Sequence, residues 1–575
     1  MRKFIKILDI LPTWAFLMIY LGVLFAYKAI VGLQGVDMND EGWMLSGYQQ
    51  IFNDPAACEY QFLYYNTLLV GGLWDLLFGS WGIYGFRICE AICATATAFF
   101  VYLLLHKDIN RWCILIGVFL FNIDYVIVVH YNSLTALFLS VAMLLFYKGL
   151  TEDNKWHVLC AGIVLGFNIF TRLPNISLCS LGLVFIPYYL FTKDKRNTIV
   201  LAIMAFLGVL IGIIVELIIM SSLGHLNLFV DNLASGLSAA SAEDSTHDIS
   251  RFISVYVGNY IAIMKQMVVV IGVPVILYIA SKLSSNKHIN NVLLFVGCLL
   301  YMALIWKNAT YNFTMYALCY PIFLAYLLRF PSDYHKVILI TISILILLAL
   351  PFGSDGGIAT MECGSMLWIA VPLAIGLYSE FYQHMPLRLH RKAKLITYVF
   401  LATFVLHAAY VTSLMCYFDS GSRLKKTARP QTTLATTYTT SFKAAQIDTL
   451  MVHLQPLINK NDYLLCYQSV PLVNYLTETR PYLGNSWPWT YDSNNMERQF
   501  VKAKATIDKL PVIVRNKSGV ATWYHYSPDW NNLECKDWHF TPRKIELIQE
   551  FIRDNDYTIQ WENDLFQILV PTSKE

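Results

Sequence analysis

Charge is what this sequence has least of. Asp, Glu, Lys and Arg together make up 14% of its 575 residues. A soluble chain carries roughly 25%, so most of this one lies in a solvent that rejects ions. The remaining charge nearly cancels, with 42 Lys and Arg against 39 Asp and Glu. There is no basic excess to meet a polyanion, which argues against nucleic acid as a partner. No Cys-x-x-Cys pair and no Cys/His zinc spacing occurs. No internal repeat is visible, and that argues against transporters built from two related, interrupted halves.

What is abundant is apolar and aromatic. Hydrophobic residues supply 56% of the chain, and 36 Tyr and 14 Trp stand among them. Amphipathic rings settle at membrane–water boundaries, so many such boundaries are expected. Most of the cysteines (Cys89, Cys93, Cys113, Cys160, Cys179, Cys298, Cys319) lie in apolar runs and act as small hydrophobes. Cys58, Cys363, Cys466 and Cys535 fall in segments expected outside the membrane. A Cys466–Cys535 disulfide is an option the sequence leaves open.

Apolar stretches long enough to cross about 30 Å of hydrocarbon recur as far as residue 417. Roughly 13 transmembrane helices are expected, near 11–31, 83–105, 112–129, 133–149, 156–171, 175–191, 198–223, 261–281, 289–306, 313–328, 337–351, 366–383 and 395–417. The first follows Met1-Arg2-Lys3 and is too long for a signal-peptide core, so it is expected to be retained, with its basic flank in the cytoplasm. Alternate loops then carry the cations: Lys107 and Arg111; Lys148 and Lys155; Lys193, Lys195 and Arg196; Lys282 and Lys287; Arg329 and Lys336; Arg388, Arg391, Lys392 and Lys394. That alternation obeys the positive-inside rule, and an odd count puts the C-terminal end outside.

Composition shifts near 420. Residues 420–440, rich in Thr, Lys and Arg, read as a linker. Beyond them helical segments alternate with short apolar strands such as Tyr463-Leu464-Leu465-Cys466-Tyr467 and Val512-Ile513-Val514. The expected fold is a polytopic α-helical membrane protein over 1–417 with a C-terminal soluble α/β domain over 418–575.

The sharpest chemical feature is Asp37-Met38-Asn39-Asp40-Glu41-Gly42-Trp43, just past the first span. Two adjacent carboxylates at a membrane surface can serve as a general base or hold a divalent cation against a phosphate. The plainer reading is a solvated acidic loop, and the residues alone leave both open. They are followed by Tyr48 to Pro55, Phe78-Gly79 and Gly85-Phe86-Arg87, then by Gly162-x-x-x-Gly166 leading to Thr171-Arg172. This order resembles the GT-C glycosyltransferases, which include protein O-mannosyltransferases and the lipid A aminoarabinose transferase. The C-terminal "D-Y-L-L-C-Y" and "L-P-V-I-V" segments are similar to that superfamily's outer domain. Cys58-Glu59-Tyr60-Gln61-Phe62 departs from its pattern and leaves the acceptor side undefined.

The resemblance implies a polyprenyl-phosphate-sugar donor held among membrane lipids, an extracytoplasmic acceptor (lipid, glycan or protein), and a bacterial inner membrane with the site facing the periplasm. It makes Asp40 the first choice as base or metal ligand and Glu41 the second, with Mg2+ or Mn2+ as the cofactor to be tested. Outer-side cations for the departing phosphate are Arg87, Arg172, Arg251, Lys265 and Lys307, and charges at such depth are functional hypotheses by default. Each also has a structural reading, Arg87 for instance pairing with Glu90 one helical turn on. His130 and Asn132 are expected to wall the substrate, or to sit in an interfacial belt. Residues 243–248, Asp355 and Glu362 read as solvated or flap-like acidic groups. Trp487, Trp489, Trp523, Trp530 and Trp538 are sugar platforms or ordinary core. Glu216, inside an apolar run, should face the bundle interior. The competing functions are a transporter or flippase, and a polymerase or ligase of cell-envelope glycan.

Overall fold

A computed structural model describes the chain apart from residues 1–9, 124, 125, 240–248, 281–285, 309, 310, 353, 355, 360–366, 385, 386, 415, 469, 518–541 and 573–575. Helices dominate. In chain order the first part contains α1 (Thr13–Val31), α2 (Asp40–Gln50), α3 (Tyr65–Phe78), α4 (Gly82–Leu105), α5 (Arg111–Asn122), α6 (Tyr131–Thr151), α7 (Lys155–Thr171), α8 (Phe185–Thr192) and α9 (Lys195–Ser222). They are followed by α10 (Leu226–Ala239), α11 (Ile249–Met267), α12 (Val273–Ala280), α13 (Lys287–Asn308), α14 (Tyr311–Arg329), α15 (Tyr334–Ala349), α16 (Leu367–Gln383) and α17 (Leu387–Leu414).

Among the described residues, eight helical stretches are long and apolar enough to cross a membrane. They cover eight of the expected positions. Three more are occupied by shorter apolar helices, Arg111–Leu120, Lys155–Thr171 and Tyr334–Ala349. The remaining two are α14 and α16, which contain Pro321 and Pro372. Eight of the expected positions are thus filled by helices of full spanning length and apolarity, and the other five by helices that are shorter or interrupted by proline.

Polar contacts collect at the two ends of the bundle. At one end Tyr147 donates to Asp108 at 2.7 Å and pairs with His335 at 2.9 Å, while Tyr334 donates to the Leu150 carbonyl at 2.9 Å. Lys336 meets Glu380 there at 2.6 Å. At the other end Thr67 donates to the Thr171 carbonyl at 3.1 Å, Tyr48 to Val129 at 2.6 Å and Asn312 to Ile358 at 3.1 Å. The loops expected to share a side thus bond to one another.

Small residues set the tightest contact. A Cβ on Gly162 of α7 would lie 2.3 Å from the Ala205 carbonyl oxygen, and one on Gly166 would lie 2.5 Å from that of Val209. Gly208 and Gly212 of α9 face them. Backbones approach this closely only where side chains are missing, which is the usual way helices associate without a hydrophobic driving force.

The C-terminal part carries α18 (Ser441–Leu454), α19 (Leu472–Thr477), α20 (Ser493–Thr506) and α21 (Pro542–Asp554). They pack on a five-stranded sheet of β1 (Tyr463–Tyr467), β2 (Arg480–Pro481), β3 (Val512–Asn516), β4 (Tyr557–Glu562) and β5 (Phe566–Pro571), in the order β2-β1-β3-β5-β4. β1 runs parallel to β2 and β3, and β5 is antiparallel to β3 and β4. Residues 420–440 are no free linker. Lys426, Thr437 and Thr439 are buried, and Tyr438 bridges to Gln34 of the first loop.

The first loop is held between bundle and sheet domain. Trp43 donates to Asn485 at 3.0 Å, Ser46 to Ser486 at 2.6 Å, and Leu472 to the Met38 carbonyl at 3.1 Å. Glu59 pairs with Lys502. A Cβ on Gly42 would lie 2.2 Å from the Leu472 nitrogen, so only glycine lets α2 seat on α19.

Candidate functional site

The acidic loop divides its three carboxylates among three tasks. Asp37 is fully buried and accepts the backbone N–H groups of Asn39 at 2.7 Å and Glu41 at 2.9 Å, fixing the first turn of α2. Burial, with Asp40 and Glu41 adjacent, pushes its pKa well above the usual carboxylate range.

Glu41 is taken by Arg87. The guanidinium donates from Nε at 2.9 Å and from Nη2 at 2.6 Å, a two-point contact between side chains that are 1% or less exposed. The rest of Arg87 donates to the carbonyls of Gly32, Gln34 and Gly35 at 2.9, 3.0 and 3.0 Å. Glu41 also accepts the Val128 N–H at 2.9 Å. The i,i+3 partner Glu90 is not the one Arg87 uses. The pair ties the first loop to α4 and to the start of α6.

Asp40 points elsewhere. It is half-buried, accepts a hydrogen bond from Tyr417 at 2.5 Å, and lines a small cleft with Trp43, Met44, Ile127, His130 and Tyr131. His130 stands just before α6 in extended conformation, with Nδ1 against Ser133 Oγ at 2.8 Å. Its Nε2 is buried without a hydrogen-bond partner among the described residues. Ser133 in turn reaches Glu90, with Lys28 close by.

Arg172 completes the neighbourhood. α7 stops at Thr171 and Pro174 opens a 3-10 segment, so Arg172 is left extended between two helical pieces. Its Nη1 donates to Asn132 at 3.4 Å and its Nη2 to the Leu350 carbonyl at 2.6 Å. Nε is buried without a partner among the described residues. Asn132, two residues from His130, thus links Arg172 to the cleft wall.

The other expected cations lie apart. Lys265 and Lys307 are on exposed faces of α11 and α13, Arg251 is half-buried in the first turn of α11, and none of the three lines the cleft beside Asp40. Among the described residues no group of three or more His, Cys, Asp or Glu could hold a metal ion. Asp37 and Glu41 spend their oxygens on N–H donors, so a cage made of protein ligands alone does not fit here. A divalent ion would take Asp40 from the chain and its other ligands from phosphate and water.

Two residues that sequence reasoning missed matter here. Tyr417, which passes for an interfacial belt residue, orients Asp40. Asp419 is fully buried and accepts from Lys443 at 2.6 Å, Thr439 at 2.8 Å and the Val36 N–H at 3.0 Å, with Lys426 2.9 Å away. Its signal, one carboxylate among the Lys and Thr of 420–443, is plain only once those side chains converge. Glu216 is buried as expected and bonds Asn66. Trp489 is core, packed on Tyr467 at 4.9 Å. Residues 243–248, Asp355, Glu362, Cys363, Trp523, Trp530, Cys535 and Trp538 lie outside the described residues, and with Cys535 the disulfide option.

No curated protein matches the chain. A family model does over part of it: residues 71–220, from α3 to the end of α9 and including Arg87, His130, Asn132 and Arg172, are similar to the dolichyl-phosphate-mannose-protein mannosyltransferase family of the GT-C superfamily.

Proposed function

We propose that the chain transfers a hexosyl or pentosyl group from a polyprenyl-phosphate carrier to a hydroxyl of an extracytoplasmic acceptor. The observation that carries this reading is the shared cleft of Asp40 and His130, joined through Asn132 to Arg172, at the end of the bundle where the first loop meets the sheet domain. A carboxylate and a guanidinium at a membrane boundary match the two charges the reaction moves.

The acceptor oxygen attacks the anomeric carbon and passes its proton to Asp40, which Tyr417 holds in place. The bond from that carbon to the carrier phosphate breaks, and the phosphate keeps the electron pair. Arg172, with a buried Nε to offer, stabilises the leaving phosphate. His130 Nε2 gives the sugar or acceptor a hydrogen-bond partner. A single displacement of this kind inverts the anomeric centre. The positive-inside rule favours a cytoplasmic cation-rich end, and Asp40 is accordingly taken to work on the extracytoplasmic side. The alternatives of a transporter or a polymerase gain no support from a carboxylate clamped under a soluble domain.

The test is transfer of sugar from a radiolabelled polyprenyl-phosphate donor by purified wild type and Asp40→Asn, with and without chelator. Loss of about 10²–10⁴-fold is expected for a general base. Full activity in Asp40→Asn removes the mechanism.

A further inference from the structure

At the end of the bundle opposite Asp40 lies a second cavity, of about 450 Å3, between α12, α13, α14, α16 and α17. Ligand sites run from about 300 to 1,000 Å3, so this one is large enough for a real occupant. Its walls are almost wholly hydrocarbon, with Ile322, Ile396 and Leu401 among them, and Val275 at its mouth is half exposed to the surroundings of the bundle. Between α11 and α12 the chain makes a π-turn over Val268–Gly272, and Tyr301 donates to the Val270 carbonyl there at 3.1 Å. Wide turns of this kind are frequent at functional sites.

The polar groups gather at the end near the cationic loops. Tyr378 and Thr397 hydroxyls meet at 2.6 Å, and Lys392 Nζ stands 6.0 Å from the Tyr278 ring. Arg391 and Lys394 flank Lys392 in the chain. A hydrocarbon slot ending in an ammonium and hydroxyls at the bundle's edge is complementary to one kind of molecule, a lipid with an anionic head. Basic pockets between transmembrane helices on the cytoplasmic side bind such head groups.

We propose that this groove binds an anionic glycerophospholipid of the leaflet opposite the catalytic site, its phosphate on Lys392 and one acyl chain along α12 and α17. The site is separate from the sugar-transfer chemistry and stands or falls without it. The full-length protein, reconstituted in equal parts phosphatidylcholine and phosphatidylglycerol, is labelled with photoreactive phosphatidylglycerol, and the labelled peptides are mapped. Label is expected on α12 and α17. Lys392→Glu should lower it about fivefold, the factor that about 1 kcal/mol per basic side chain gives. Lys195→Glu, on the same end of the bundle, should leave it unchanged. Ala393→Trp, which fills the groove and keeps Lys392, should lower it as well. Label unchanged in Lys392→Glu and Ala393→Trp overturns the proposal. So does equal labelling by photoreactive phosphatidylcholine, or displacement of the label by polyprenyl phosphate.

Discussion

Glu41 and Arg87, 46 residues apart in sequence, lock together at 2.6 Å with neither side chain more than 1% exposed. Removing one partner of such a pair leaves the other charge buried alone, at a cost of about 3–5 kcal/mol. Arg87→Ala should therefore lower the midpoint of thermal unfolding sharply in detergent. Asp40→Asn, next door and half-buried, should leave that midpoint near the wild-type value while removing transfer. Circular dichroism melts of the two variants, run beside the transfer assay, separate framework from chemistry.

Asp419 supplies the pH dependence. Burial pushes its pKa up, but Lys443 and Lys426 outweigh that and hold it below the usual carboxylate value. A carboxylate with a depressed folded pKa stabilises fully above its unfolded value, 3.8 for the free group. That stability is lost as pH falls through the folded value. Asp419→Asn should destabilise the protein at neutral pH and flatten the acid limb of stability against pH. Unfolding midpoints measured from pH 7 down to acid conditions give the comparison.

Gly42→Ala places a methyl 2.2 Å from the Leu472 nitrogen, so α2 and α19 cannot stay seated. Overpacking of this sort costs about 1–3 kcal/mol. The sheet domain should become easier to cleave from the bundle, which limited proteolysis followed by mass spectrometry detects.

Gly162→Leu should force α7 from α9, where a Cβ already meets a carbonyl oxygen at 2.3 Å. Arg172 hangs from the end of α7, so its contact with Asn132 should lengthen. The expected result is a higher KM for the lipid-linked donor with a smaller change in kcat, read by steady-state kinetics.

The helical bundle was legible because lipid enforces it. Apolar runs and alternating cations follow from the cost of charge in hydrocarbon, and the loops they assign to one side do bond to each other. The lengths of the individual helices were not, since hydropathy cannot see where α5 or α15 stops. Asp40 was legible as a carboxylate after a span. Its sister Glu41 was not legible as framework, because the partner that neutralises it comes from another helix. The glycines of α7 read as part of a motif, whereas their physical reason is the facing pair on α9. Residues 420–440 look like a tether by composition, yet Lys426 is buried on Asp419, a contact invisible until the chain has folded back.

The helix carrying Asp40 is gripped on one flank by Arg87 and on the other by Asn485, Ser486 and Leu472. The C-terminal sheet region is thus part of what positions Asp40. Grafting a related segment in its place would therefore also shift the Asp40 carboxylate. A swap that works must carry its own docking residues along.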